Sequence, residues 1–185
     1  GPDPADAVTA AQPQDVLAGL ENLDAATLEG VRIGVARNYC GYHDGVDGVF
    51  ASALEALSGC GAQVIDGLEL TPTDRIKSSE LEVLATEFKH GLNRYLAALG
   101  PEALLSSLAE LIDYNRAQAE RVMPYFQQEL LERAASMGPL DNQEYREALA
   151  ESRHLSRQAG IDALCLEHNL EAIVAPTMGP PWLID

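Results

Sequence analysis

Positive charge is what this sequence has least of: Lys and Arg number 12 against 29 Asp and Glu, a formal net charge of −17 at pH 7. Such acidity repels phosphate backbones and anionic headgroups, so neither a nucleic-acid partner nor a membrane partner is expected. Aromatic residues make up only 5% of the chain, so a core has to be built from Ala, Leu, Val and Ile, a composition that suits helices on a sheet. The three cysteines, Cys40, Cys60 and Cys165, lie far apart with no CxxC pair and no His at metal-ligand spacing. They argue against a disulfide framework or a zinc site and read as reduced thiols of a cytoplasmic protein. No apolar run approaches the roughly 20 residues of a membrane span. There is no HExxH, since His90, His154 and His168 stand isolated, and no Gly/Ser-rich loop. No metal and no cofactor is expected.

What is present is a chain long enough for one well-buried domain. Residues 1–30, with Pro2, Pro4 and Pro13 and no sustained apolar period, read as a lead-in strap with one short helical turn. Val31 to Ala36 alternates branched apolar with small or polar residues and reads as a strand. Val46, Val49, Phe50, Ala53, Leu54 and Leu57 then recur at three and four, which predicts a helix over 47–57 stopped by Gly59 and Gly61. A second strand follows at 62–66. Strand, helix and strand form a βαβ unit, so the two strands are expected to be parallel.

Residues 72–169 read as mainly helical. A long helix over 74–99, closed by Gly100-Pro101, carries a stripe of Leu81, Leu84, Ala85, Phe88, Leu92, Tyr95, Leu96 and Leu99. A second is predicted over 104–115 on Leu104, Leu108, Leu111 and Ile112, and a third from Pro124 to Met137. Asp141 with Glu144 reads as a capping box for a last long helix towards Asn169, in which Gly160 costs about 1 kcal/mol relative to Ala. Glu171 to Pro176 reads as a third strand entering a Pro- and Gly-rich loop. The fold class is therefore α/β, a fragment of a mixed sheet flanked by helices, with further chain expected beyond the last strand.

Several strings invite a chemical reading, each with a plainer one beside it. Lys77-Ser78-Ser79 has the residue types of a hydroxyl nucleophile and its base, but neighbours on a helix point about 100° apart, and an exposed polar face accounts for them. His43 beside Asp44 has the makings of an acid/base pair or of an ordinary loop histidine. Gly41, Gly45 and Gly48 follow a strand and precede a helix, yet do not satisfy GxGxxG, and Asp44 and Asp47 would repel a pyrophosphate. Glu87, Lys89 and Arg94 either line a cleft or form solvated contacts along their helix. Thr177, Met178, Gly179 and Trp182 lie beyond the C-terminal end of a strand, where open α/β sheets place ligands, and Trp182 offers a flat apolar surface. A structural turn whose Trp joins the core is the alternative.

Four strings, GPDPAD at 1–6, VRIGVARNYCGYH at 31–43, EFKHGLNRYLAALGP at 87–101 and EAIVAPTMGPPW at 171–182, resemble the amidase signature family, in particular its peptide-amidase-like branch. They are scaffold strings. The resemblance implies an amide hydrolase using a Ser-Ser-Lys triad, in which a Lys amine acts through a bridging Ser to make the nucleophilic Ser reactive. In the family those residues precede the region that resembles this chain, so it puts a catalytic role on no numbered residue here. It does favour Thr177, Met178, Gly179 and Trp182 as substrate-facing.

The reading that follows is a single partial amidase-like domain over 1–185: strap 1–30, βαβ unit 31–66, helical section 72–169, strand and loop 171–185. It would supply scaffold and cleft wall for hydrolysis of carboxylic or peptide amides to acid and ammonia or amine, be inactive alone, and meet a small amide substrate only in the intact enzyme. A sheet cut from its other strands exposes edges and apolar surface, so self-association is expected. The rival reading is a non-catalytic acidic interaction module. A flavodoxin-like ligand binder built on the βαβ unit is a third.

Overall fold

The computed structural model describes residues 2–4, 6–11 and 27–180, and within them the chain divides into two compact units. The first comprises residues 1–68 and 170–185, the second 69–169.

The first unit is a parallel sheet. Strands β1 (Arg32–Ala36), β2 (Gln63–Leu68) and β3 (Ala172–Val174) lie in the order β2-β1-β3. The expected βαβ crossover is present: helix α1 (Asp44–Gly59) joins β1 to the parallel β2. Ile33 faces Val64 on one side and Ala172 on the other, so β1 is central. It is buried from Ile33 to Ala36, as a strand flanked on both edges and packed by apolar neighbours must be. Gly34 sits where β1 is most crowded; a Cβ there would come within 2.5 Å of Leu170 and 2.9 Å of Leu68.

Helix α1 begins three residues earlier than its apolar spacing predicts, because the His43 imidazole caps it by accepting from the Gly45 N–H at 3.1 Å. It ends two residues later than predicted, running through Gly59, with Gly61 following its last residues. Gly61 takes φ +95°, a left-handed turn that glycine adopts without penalty, and the chain re-enters the sheet at Gln63. The second and third strands are shifted slightly from their predicted spans, to Gln63–Leu68 and Ala172–Val174. Of the lead-in strap, a 3-10 turn at Ala7–Ala11 is described, with the Thr9 hydroxyl donating to the Asp6 carbonyl at 2.7 Å. The stretch 12–26 lies outside the described residues.

The second unit is helical: α2 (Thr73–Ala98), α3 (Leu108–Ala117), α4 (Ala119–Val122), α5 (Glu129–Ser136), α6 (Gln143–Arg153) and α7 (Asp162–His168), with a π-helical segment at His154–Ile161 between the last two. Its core joins Ala85 of α2 to Leu108 and Ile112 of α3 and Ala134 of α5. Long helix α2 matches its prediction to within a residue at each end, stopped by Gly100 at φ +85° and Pro101.

Four helical expectations are corrected. The helix predicted from Leu104 starts at Leu108, because the Ser107 hydroxyl accepts from the Glu110 N–H while the Glu110 carboxylate returns to Ser106, leaving Leu104 exposed. Pro124 begins nothing, since residues 123–128 are non-helical and α5 opens only at Glu129. Asn142, not Asp141, caps α6, accepting from the Tyr145 N–H at 2.7 Å. Finally, the predicted long last helix breaks at Gly160, whose φ −113°, ψ −109° leave the helical region.

Candidate functional site

The C-terminal ends of β1 and β3 lie side by side, and both lead into the same pocket. From β1 the chain passes through a 3-10 turn at Arg37–Tyr39 to His43; from β3 it passes directly to Ala175, Pro176 and Thr177. Together with Val46, Val49 and Phe50 on the first turns of α1, these residues line a pocket of about 410 Å³ in the sheet unit. That volume falls in the range of small-molecule sites, and its position outside the carboxyl ends of parallel strands is where open sheets bind ligands.

Local sequence accounts for each wall. Helical spacing turns Val46, Val49 and Phe50 to one side of α1, and Val49 remains 74% exposed, so it is available to a ligand. Pro176 and Pro180 stiffen the opposite wall by fixing their own φ. The cap at His43 places an imidazole at the rim with Nδ1 engaged as an acceptor. Beneath Phe50 the Arg37 guanidinium carbon lies 5.9 Å from the ring centroid. Arg37 is itself held by Asp66 through Nε–Oδ1 at 2.6 Å and Nη2–Oδ2 at 2.7 Å. That hydrogen bonding keeps the Asp66 carboxyl below its ordinary value and raises the Arg37 guanidinium further.

Of the substrate-facing residues expected from sequence, Thr177 lines this pocket. Met178 and Gly179 follow it in the loop, Met178 exposed and Gly179 half-buried. Trp182 lies outside the described residues. His43, Gly45, Val46, Val49 and Phe50 were not expected at the same cavity. The available signal was their place directly after the first strand, which a parallel sheet sets beside the loop following the third.

The other chemical candidates do not assemble. No ion pair joins His43 to Asp44 among the described residues. The Gly41 N–H, one of the groups a phosphate would need, already donates to the Asp47 carboxylate at 3.0 Å. Ser79 corrects the expectation of an exposed polar face: it is buried, and its hydroxyl donates to the Ile76 carbonyl at 2.9 Å. Lys89 donates to the Met137 carbonyl at 2.5 Å, while Glu87 and Arg94 line a separate cavity in the helical unit. Among the described residues no group of three His, Cys, Asp or Glu is placed to hold a metal ion, and no helix is long and apolar enough to cross a membrane.

Comparison with known proteins sets these observations in a family. The sequence profile described as Amidase matches residues 1–184. The native peptide amidase of Stenotrophomonas maltophilia superposes with a TM-score of 0.83 at 35% identity, over 97% of this chain and 36% of that one. A peptide amidase in complex with the competitive inhibitor chymostatin gives 0.88 at 35% identity, over 100% of this chain and 38% of that one. An amidase family protein from Bacillus anthracis str. Ames, at 20% identity and a TM-score of 0.69 over 96% of this chain and 34% of that one, shares the fold. The chain thus spans little more than a third of the length of these relatives. A comparison with curated proteins gave no match.

Proposed function

This chain belongs to the amidase family, and from that premise we propose that it supplies scaffold and part of the substrate-cleft wall of an amide hydrolase and turns over no amide by itself. The observation that carries the reading is the pocket joining Thr177 to the first turns of α1 at the carboxyl ends of β1 and β3. Its Val49, Phe50 and Pro176 surfaces suit the apolar part of a substrate, while Thr177 offers one hydroxyl for orientation. Met178, Gly179 and Trp182 would extend that wall. The peptide amidase that takes chymostatin as a competitive inhibitor supports small peptides or peptide amides as the substrates of the whole enzyme.

Amide hydrolysis by a serine needs a base within hydrogen-bond reach of the hydroxyl, and backbone donors for the oxyanion. Among the described residues no serine hydroxyl is bonded to a lysine: Ser79 donates to Ile76 and Ser156 to Ser152, while Lys89 is spent on Met137. The wall's contribution is therefore binding and orientation, which lower the barrier by fixing the scissile group before reaction. The three unpaired cysteines support a cytoplasmic setting.

The test is a panel of small amides and C-terminal peptide amides given to the chain alone and to a graft. In the graft, the matching segment of the Stenotrophomonas peptide amidase is replaced by this chain. Silence alone, activity in the graft and a raised KM on Val49→Asp are expected. Turnover by the chain alone would overturn the reading, and a folded but inactive graft would favour the interaction-module alternative.

A further inference from the structure

A second cavity, of about 520 Å³, lies in the helical unit and gathers four titratable side chains: Glu87, His90 and Arg94 of α2 and Tyr145 of α6, with Gly91 and Leu140 completing its lining. Positions 87, 90, 91 and 94 fall on one face of a helix. Gly91 keeps the middle of that face open, and a Cβ there would meet nothing within 4 Å.

The charges are arranged asymmetrically. Tyr145 donates its hydroxyl to Glu87 Oε1 at 2.7 Å, which fixes the carboxylate against the start of α6. His90 Nε2 lies 3.2 Å from the Gly138 carbonyl. A carbonyl only accepts, so Nε2 carries the hydrogen and the neutral ring keeps Nδ1 as an acceptor. Arg94 makes no ion pair among the described residues. Seven residues separate Glu87 from Arg94, two helical turns or about 10 Å along the axis, so they form no bridge to each other. One end of the cavity is therefore anionic and the other cationic, with an apolar Leu140 in the lining.

We propose that this cavity binds a short zwitterionic peptide, its ammonium end against Glu87 and its carboxylate end against Arg94. A single amino acid holds its two charges too close together to reach both. A dianion would meet Glu87 and the chain's net charge of −17, and a neutral amide would leave both protein charges without a counter-charge. The site is lined by residues of the helical unit and the sheet pocket by residues of the sheet unit, and its readout is binding to this chain. Its success or failure is thus separate from that of the amidase reading.

The experiment is calorimetric titration of the chain with alanyl-leucine, N-acetyl-alanyl-leucine, alanyl-leucinamide and free leucine. Alanyl-leucine binds, and blocking either terminus weakens binding about tenfold or more, since each block removes a charge-assisted contact. Glu87→Gln abolishes the penalty for acetylation and keeps that for amidation; Arg94→Gln does the reverse. Both side chains are exposed, and circular dichroism checks the fold. Should a variant unfold, the four ligands on the unaltered chain decide alone. No binding at millimolar peptide, equal affinity for all three peptide forms, or free leucine binding as well as the dipeptide would overturn the proposal.

Discussion

Arg37, at the exit of β1, holds Asp66 of β2 through two parallel hydrogen bonds of 2.6 and 2.7 Å, bracing the strand pair next to its bulge between Gly34 and Ala36. Both side chains are about half exposed, so solvent screening limits the pair to about 1 kcal/mol or less. Asp66 titrates below its ordinary value of 3.8 because it accepts from Arg37. The pair's contribution is thus fully present above that ordinary value and is lost as pH falls through the lowered one. Asp66→Asn should reduce stability in urea at neutral pH and flatten its acid dependence. An unchanged acid limb would show that the pair does not govern it.

Alkaline pH tests a different contact. Tyr145 titrates above its ordinary value of 10.0, first because it donates to Glu87 and then because it is buried. A raised folded value means that its stabilisation is complete below pH 10 and is lost as pH rises through the folded value. Tyr145→Phe should remove that part of the alkaline loss, leaving a flatter stability curve above about pH 10. Phenolate absorbance of the parent and the variant identifies the late-titrating tyrosine.

Gly160 separates helix propensity from structure. Propensity alone expects Gly160→Ala to stabilise by about 1 kcal/mol. In the structure a Cβ at Gly160 would lie 2.6 Å from the Leu155 carbonyl oxygen, which also accepts from the Thr71 hydroxyl at 2.9 Å. A backbone atom yields less readily than a side-chain tip, so the substitution should destabilise by about 1–3 kcal/mol. Equilibrium urea unfolding decides between the two signs.

How far the sequence could be read follows from the range of the interactions involved. Helix α2 was legible because its apolar spacing is sustained and Gly100-Pro101 punctuates its end locally. Leu104 was misread because it keeps helical spacing with Leu108, while the helix start is set by the Ser107 hydroxyl accepting from the Glu110 N–H and by the Glu110 carboxylate accepting from the Ser106 N–H. The buried face of α2 was read as an apolar stripe, yet it includes Thr86, which is fully buried because its hydroxyl donates to the Glu82 carbonyl. Leu84 and Phe88, on the expected stripe, stay exposed. Half of the sheet pocket was legible as the loop after β3; the His43 to Phe50 half depends on β1 pairing with β3, a register no local pattern encodes.

Those exposed residues carry a further prediction. Leu84, Phe88 and Leu130 border an apolar groove of about 380 Å³ between α2 and α5, and β2 and β3 are edge strands of the three-stranded sheet. Self-association at micromolar concentration should follow, measurable by sedimentation velocity. Leu84→Gln with Leu130→Gln should reduce it. A monodisperse monomer of the unaltered chain would contradict the expectation.

The central position of β1 also orders events on the ribosome. Its partner on one side, β2, follows within a single helix, but its partner on the other, β3, emerges only after the whole of 69–169, with Ala172 opposite Ile33. At synthesis rates of roughly 5–20 residues per second, that flank waits about 5–20 seconds unpaired. The helical unit is built entirely from residues of that interval, so its chain is available to fold before β3 leaves the exit tunnel. Nascent chains stalled with residues up to 169 outside the tunnel and β3 still inside should accordingly protect the α2 amides from exchange while the β1 amides that face β3 remain labile.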